Sequence, residues 1–235
     1  SIYNPDTKKR WEEIVKPISK GTQNELLYQR WIKHNEEVVD SLSNGTLGYV
    51  HIRSMGDASY RDVYADILGK YNRRKGIVID TRFNGGGRLH EDIEILFSGE
   101  KYLEQVIRDS VACVMPSRRY IKPSIMIMCE ANYSNAHGTP WVYKHKKMGK
   151  LVGMPVPGTM SSVTWETLQD TDLYFGLPVV GYRTQEGYYL ENSQLEPDIK
   201  VRNTPEKLAA GIDEQLEAAV KELMKDVENY DYWGK

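Results

Sequence analysis

The chain is 235 residues long, enough to bury one sizeable core, with 40% apolar and 27% charged residues. A formal net charge of −2 gives no electrostatic footprint for nucleic acid or an anionic membrane surface, so neither is expected as a partner. No apolar run is long enough to span a bilayer, and the opening SIYNPDTKKRWEE lacks the apolar stretch of a signal peptide.

In chain order, WEEIVKPIS reads as the end of a preceding structure, and the chain as an excised piece of a longer protein. Residues 21–46, with ELLYQRWIKHNEEVVDSL, are expected to be helical. GYVHIR (48–53) and KGIVIDTRF (75–83) are short, rich in β-branched and aromatic residues, and read as strands. Between them Tyr60, Val63, Tyr64, Ile67 and Leu68 recur at helical spacing. Strand, helix, strand is a crossover unit, so a partly parallel sheet is expected. RLHEDIEILFSG predicts a further helix, SIMIMCE (124–130) a buried strand, and residues 134–147 a helix after it.

From Lys150 to about Val201, glycines and prolines punctuate short β-prone pieces (KLVGM, SVTWETL, DLYFG, LPVVGYRT, GYYLE, PDIKV), which predicts a strand-rich C-terminal half. Ile212, Leu216, Ala219, Val220 and Leu223 share one face of a terminal amphipathic helix. The fold class is therefore α/β. Cys113 and Cys129 sit in apolar runs without metal or redox spacing and read as buried thiols.

Gly85, Gly86 and Gly87 lie between a buried strand and a helix, where backbone without Cβ can turn sharply and aim several N–H groups at one point. A phosphate, a pyrophosphate and an acyl-transfer oxyanion all suit that arrangement. Arg88 and Leu89 stand where a P-loop needs Lys and Ser or Thr, and His90 stands where a dinucleotide fingerprint needs its third glycine. A plain turn is the remaining bland reading. Ser134 falls where the strand SIMIM meets the next helix; an N-cap is its ordinary role there, and a nucleophile elbow without the G-x-S-x-G signature is the other.

The ordered set GIVIDTRFNGGG, NYSNAHG, YYLENSQLEPDIKV and GIDEQLEAAV resembles tricorn-like serine peptidases of the C-terminal-processing peptidase family (S41). In those proteins D-x-R-x-N-G-G-G is followed by N-E-x-S-x, E-N-x-G-V-x-P-D-I-x-V and G-x-D-x-Q-L. The resemblance runs from about Ile14 to Met224. It implies a ClpP/crotonase-like core of ββα units over residues 21–235, with residues 1–20 the tail of a PDZ-like domain or a linker. It also implies peptide or unfolded-protein substrates, an acyl-enzyme mechanism without cofactor or metal, and a possible homo-oligomer. Bacterial relatives of this architecture commonly enter the periplasm or envelope, which is the expected location.

Residue by residue, the resemblance makes Ser134 the nucleophile and Gly86 an oxyanion donor, with Gly87 the fallback. Asn135 takes the second oxyanion position, where the tricorn pattern has Asp. Glu191 becomes the acid that orients the base through an intervening serine. One branch of the family uses a lysine as base, but GMPVPGTMSSV (153–163) contains none. The tricorn branch uses a histidine from a helical domain upstream of the PDZ domain. Of the five histidines here, His51 sits in a strand where relatives do not place the base. His137 follows Ser134 by three residues, with its ring expected to run along the helix. His34, His90 and His145 read as surface residues. The base is thus expected outside this chain, and the chain alone is expected to be inactive. A non-catalytic peptide-binding relative, a crotonase-type acyl-CoA enzyme and a nucleotide-binding α/β domain are the alternatives.

Overall fold

The computed structural model describes residues 1–231, which fall into two compact units, Ser1–His34 and Asn35 onward. The first unit carries a short antiparallel hairpin, β1 (Ile2–Tyr3) with β2 (Arg10–Trp11), and the start of helix α1 (Lys20–Leu42). The last turns of α1 belong to the second unit, where Asn35 and Val39 are buried.

The second unit is built on a five-stranded parallel sheet. Its first strands are β3 (Leu47–His51) and β4 (Gly76–Asp80), joined by α2 (Asp57–Ala65) and a π-helical turn, Asp66–Lys70. α3 (His90–Ser98) and a free-standing antiparallel hairpin, β5 (Leu103–Ile107) with β6 (Ser110–Met115), lead to β7 (Ser124–Met128). α4 (Asn135–His145) leads to β8 (Lys150–Gly153), and a second hairpin, β9 (Ser162–Thr167) with β10 (Tyr174–Val180), precedes β11 (Ile199–Lys200). The chain closes with α5 (Pro205–Ala209) and α6 (Glu214–Glu228). Sheet order is β11-β8-β7-β4-β3, so the strands follow one another in sequence across the sheet.

β4 and β7 are central and buried at every position, which is why GIVID and SIMIM are continuous apolar runs rather than alternating ones. α6 packs on β4, β7 and β8, and α3 packs on α4. Because all the strands point the same way, the loops after β4 and β7 emerge side by side at the carboxyl edge, the usual position for a site in such a sheet. Those loops contain Gly85–Gly87 and Ser134.

The α/β class expected from the sequence is the one observed, with several differences in detail. The β-prone pieces between Lys150 and Val201 form β8, β9, β10 and β11, with DLYFG and LPVVG merged in β10, while GYYLE forms only an isolated bridge between Arg183 and Tyr189. The terminal helix is broken at Gly211, whose φ is +80°, and Asp213 caps α6 through Leu216 N–H at 3.0 Å. Ile212 therefore lies outside α6 and is 40% exposed, while Leu216, Ala219, Val220 and Leu223 are buried as expected. Cys113 is only half-buried, since the β5–β6 hairpin has no cover on one face; Cys129 is buried.

Candidate active site

The site starts from a buried ion network at the end of β4. Asp80 is fully buried and accepts from Arg82 Nη2 at 2.6 Å and from Tyr49 Oη at 2.9 Å, and Asn35 Nδ2 donates to that same tyrosine oxygen at 3.0 Å. Arg82 Nη1 reaches across to Asp213 Oδ2 at 2.7 Å and Gln215 Oε1 at 3.2 Å. Burial by itself would raise the Asp80 carboxyl, but the charge and hydrogen bonds of Arg82 outweigh it and hold it below the ordinary carboxylate value. Arg82 is likewise held firmly protonated: burial opposes its charge, and the Asp80 carboxylate more than compensates. The D-x-R of the glycine motif and the G-x-D-x-Q-L of the last helix are thus two halves of one contact. It ties the start of α6 to the root of the glycine loop.

Asn84 shapes that loop. Its Nδ2 donates to Ile52 O at 2.7 Å, its Oδ1 accepts from Gly86 N–H at 2.8 Å, and its carbonyl accepts from Tyr133 N–H at 3.0 Å. The glycine loop is therefore stitched directly to the residue before Ser134. Gly86 has φ +98°, and a Cβ there would lie 2.7 Å from both Ser134 Cβ and Tyr133 O, so only glycine fits against the serine. Gly87 forms a parallel bridge with Met55 in which Gly86 O and Arg88 N–H face Met55. The N–H of Gly87 itself points away from Met55 and has no partner among the described residues. The Gly86 amide, expected as the oxyanion donor, is taken by Asn84; the fallback Gly87 has the open one.

Ser134 is half-buried at the N-terminus of α4, with φ +54° and ψ −123°. That is a sparsely populated conformation for a non-glycine residue, costing on the order of 1–3 kcal/mol. Its hydroxyl makes no capping bond, so the N-cap role does not explain it; its own N–H donates to Thr159 Oγ1 at 3.2 Å. The serine loop is held by Asn132, whose Nδ2 donates to Thr81 Oγ1 at 2.9 Å and to Ala136 O at 3.2 Å. The second bond supplies a donor to the carbonyl that Pro140, inside α4, cannot serve.

Asn135 is buried, and its N–H has no partner among the described residues. Its Oδ1 accepts from Leu89 N–H at 2.8 Å and His90 N–H at 3.0 Å, capping α3 from another helix, and its Nδ2 donates to His90 Nδ1 at 2.6 Å. His90, expected on the surface, is consequently half-buried at the site. Glu191 Oε2 accepts from Met160 N–H at 2.8 Å and Ser161 N–H at 2.7 Å. Burial pushes its carboxyl up, but these bonds, the Ser161 hydroxyl and nearby His137 bring it below the ordinary value. Glu191 thus sits on the segment 159–161 whose Thr159 touches Ser134, with Ser161 between.

No ring nitrogen is hydrogen-bonded to the Ser134 hydroxyl among the described residues. His51 Nε2 is bonded to Arg82 O at 3.0 Å, and burial lowers its pKa. His137 is fully buried, neither ring nitrogen has a partner among the described residues, and burial lowers its pKa against the pull of Glu191. His145 stacks on Trp141 with ring centroids 4.6 Å apart. His34 belongs to the first unit. Among the described residues no cluster of His, Cys, Asp and Glu suits a metal, and no helix is long and apolar enough to cross a membrane. Thr159, Asn84 and Asn132 were not singled out by sequence reasoning; their only signal was proximity to glycine or serine in the motifs.

Comparison with known proteins gives the family and the fold. The tricorn protease of Thermoplasma volcanium is 26% identical over 215 residues, covering 87% of this chain and 20% of that protein. The solved tricorn protease superposes with a TM-score of 0.71 at 24% identity, over 86% of this chain and 20% of that one. The photosystem II D1 C-terminal processing protease superposes at 0.51 and 18% identity, over 66% and 42%. The chain thus spans about a fifth of the length of its tricorn relatives. The Peptidase family S41 profile matches residues 46–201, two thirds of the sequence, a range that contains the glycine loop, Ser134 and Glu191, and the chain belongs to that family as a tricorn-like member.

Proposed function

We propose that this chain is the nucleophile-bearing core of a tricorn-type serine peptidase that cleaves peptides or unfolded protein through an acyl-enzyme on Ser134. The observation that carries the reading is the backbone of Ser134. A strained φ of +54° at a helix N-terminus, with a hydroxyl freed from capping, suits a nucleophile far better than a cap. The serine oxygen attacks the peptide carbonyl, and a base takes its proton. The developing oxyanion is met by the Asn135 N–H and by the open Gly87 N–H, helped by the α4 N-terminus. The base returns the proton to the leaving amine, and water then releases the acyl group. Gly86 contributes room against Ser134, and it donates only if its bond to Asn84 is released.

The general base is a histidine outside the described residues, supplied by an upstream helical domain preceding a PDZ-like domain that ends within residues 1–20. Two observations support this: the Ser134 hydroxyl has no imidazole partner among the described residues, and tricorn relatives are about five times longer. Glu191, acting through Ser161, would orient that histidine. A homo-oligomer is part of the same proposal, by analogy with the tricorn proteins. The test is cleavage of a denatured protein and of short peptides by the whole protein, beside its Ser134→Ala variant. Serine-dependent cleavage is expected; equal cleavage by both, or none by wild type, would overturn the reading.

A further inference from the structure

A pocket of about 280 Å³ opens beside the start of α4, and its walls continue segments that carry or are bonded to Ser134 and Asn135. Gly138, four residues along α4, forms one wall; Met160, next to Thr159, forms another; His90, bonded to Asn135, forms a third. The volume lies just under the about 300–1,000 Å³ of pockets that take whole small ligands, so it suits a single side chain. Trp141, Tyr182 and Leu190 complete an apolar, aromatic lining.

The charge of the lining is one-sided. Lys146 and Arg183 lie on it, and none of the lining residues is Asp or Glu. The tautomer of His90 is also set. Because Asn135 Oδ1 accepts two backbone N–H groups, its Nδ2 must face His90 Nδ1, which accepts and leaves the ring proton on Nε2. His90 stands edge-on to Tyr182, ring centroids 6.4 Å apart, and is held in place from both sides. A cationic side chain entering here would lose water and meet Lys146 and Arg183 with no carboxylate in the lining to pair with. A large apolar or aromatic one would meet complementary surface.

We infer that this pocket receives the substrate side chain on the acyl side of the scissile bond, that it selects large apolar and aromatic residues, and that Arg183 is what turns Lys and Arg away. The inference rests on Ser134 being the nucleophile, and it names the substrate class that reading leaves open. Gly138 is a specificity determinant as well. A Cβ there would lie 2.5 Å from Met160 Cε, the movable end of that side chain, and would drive it into the pocket.

The test is equilibrium binding of otherwise identical peptides, with Phe, Leu, Ala or Lys at the acyl-side position, to the whole protein carrying Ser134→Ala. Phe and Leu peptides are expected to bind at least tenfold more tightly than Lys. Adding Arg183→Glu, an exposed position where folding is not at risk, should narrow that ratio at least tenfold. Gly138→Ala should bring Phe down to the level of Ala. Lys binding as tightly as Phe, an unmoved ratio in Arg183→Glu, or no binding at all would overturn the assignment. Fluorophosphonate incorporation at Ser134 in the wild type, measured in parallel, reads the nucleophile alone. Incorporation without side-chain preference sinks the pocket only, and preference without incorporation sinks the nucleophile only.

Discussion

Ser134 illustrates what one residue reveals in sequence and what it reveals in three dimensions. A serine between a strand and a helix reads first as a cap, and only the family order of surrounding motifs singled it out. The strained backbone that separates cap from nucleophile is imposed by Asn84, Asn132 and Thr159, which residue type alone does not announce. Replacing Ser134 with Gly relieves that strain and should stabilise the fold by about 1 kcal/mol while abolishing reaction with fluorophosphonates. Urea unfolding beside labelling checks both; a destabilised variant would contradict the strained geometry. Gly86→Ala has the opposite sign. Its Cβ collides with Ser134 Cβ and Tyr133 O, so a loss of about 1–3 kcal/mol is expected together with loss of labelling. Which glycine amide is open could not be read from three consecutive glycines, since a side-chain oxygen two residues earlier decides it.

At the scale of elements, β4 and β7 were legible because strands buried on both faces leave unbroken apolar runs. The β5–β6 hairpin was not, because Val106 and Val111 are more than half exposed and nothing in their pattern marks a covered face. Least legible was the union of Asp80 and Arg82 with Asp213 and Gln215, which are more than 130 positions apart in sequence. Arg82→Leu leaves two carboxylates without their cation and should cost about 3–5 kcal/mol, read as a lowered unfolding midpoint. The same network makes stability depend on acid. The folded Asp80 pKa is depressed, so its contribution is present above about pH 4, the unfolded value, and is lost as pH falls through the lower folded value. Urea midpoints between pH 5 and 2 should fall less steeply in Asp80→Asn than in wild type, from a lower starting point. Asn135→Ala should cost about 1 kcal/mol as a lost α3 cap. Asn135→Asp keeps the acceptor and the backbone N–H and should retain labelling.

For the whole molecule, the parallel sheet brings a glycine loop and a serine loop to one edge, and a family relationship covers both. The described residues hold the serine, an open pair of amides at Gly87 and Asn135, and Glu191 bonded to Ser161 N–H, without an imidazole on the serine. The isolated chain should therefore turn over peptides at least a hundredfold more slowly than the whole protein; equal rates would locate the base within it. The most direct measurement of the central claim is covalent. The whole protein is treated with a fluorophosphonate, and the adduct is mapped by mass spectrometry in wild type and Ser134→Ala. The account expects one adduct, on Ser134, absent from a variant whose melting temperature is no lower than wild type. An adduct on another residue, or none on a folded wild-type protein, would contradict it.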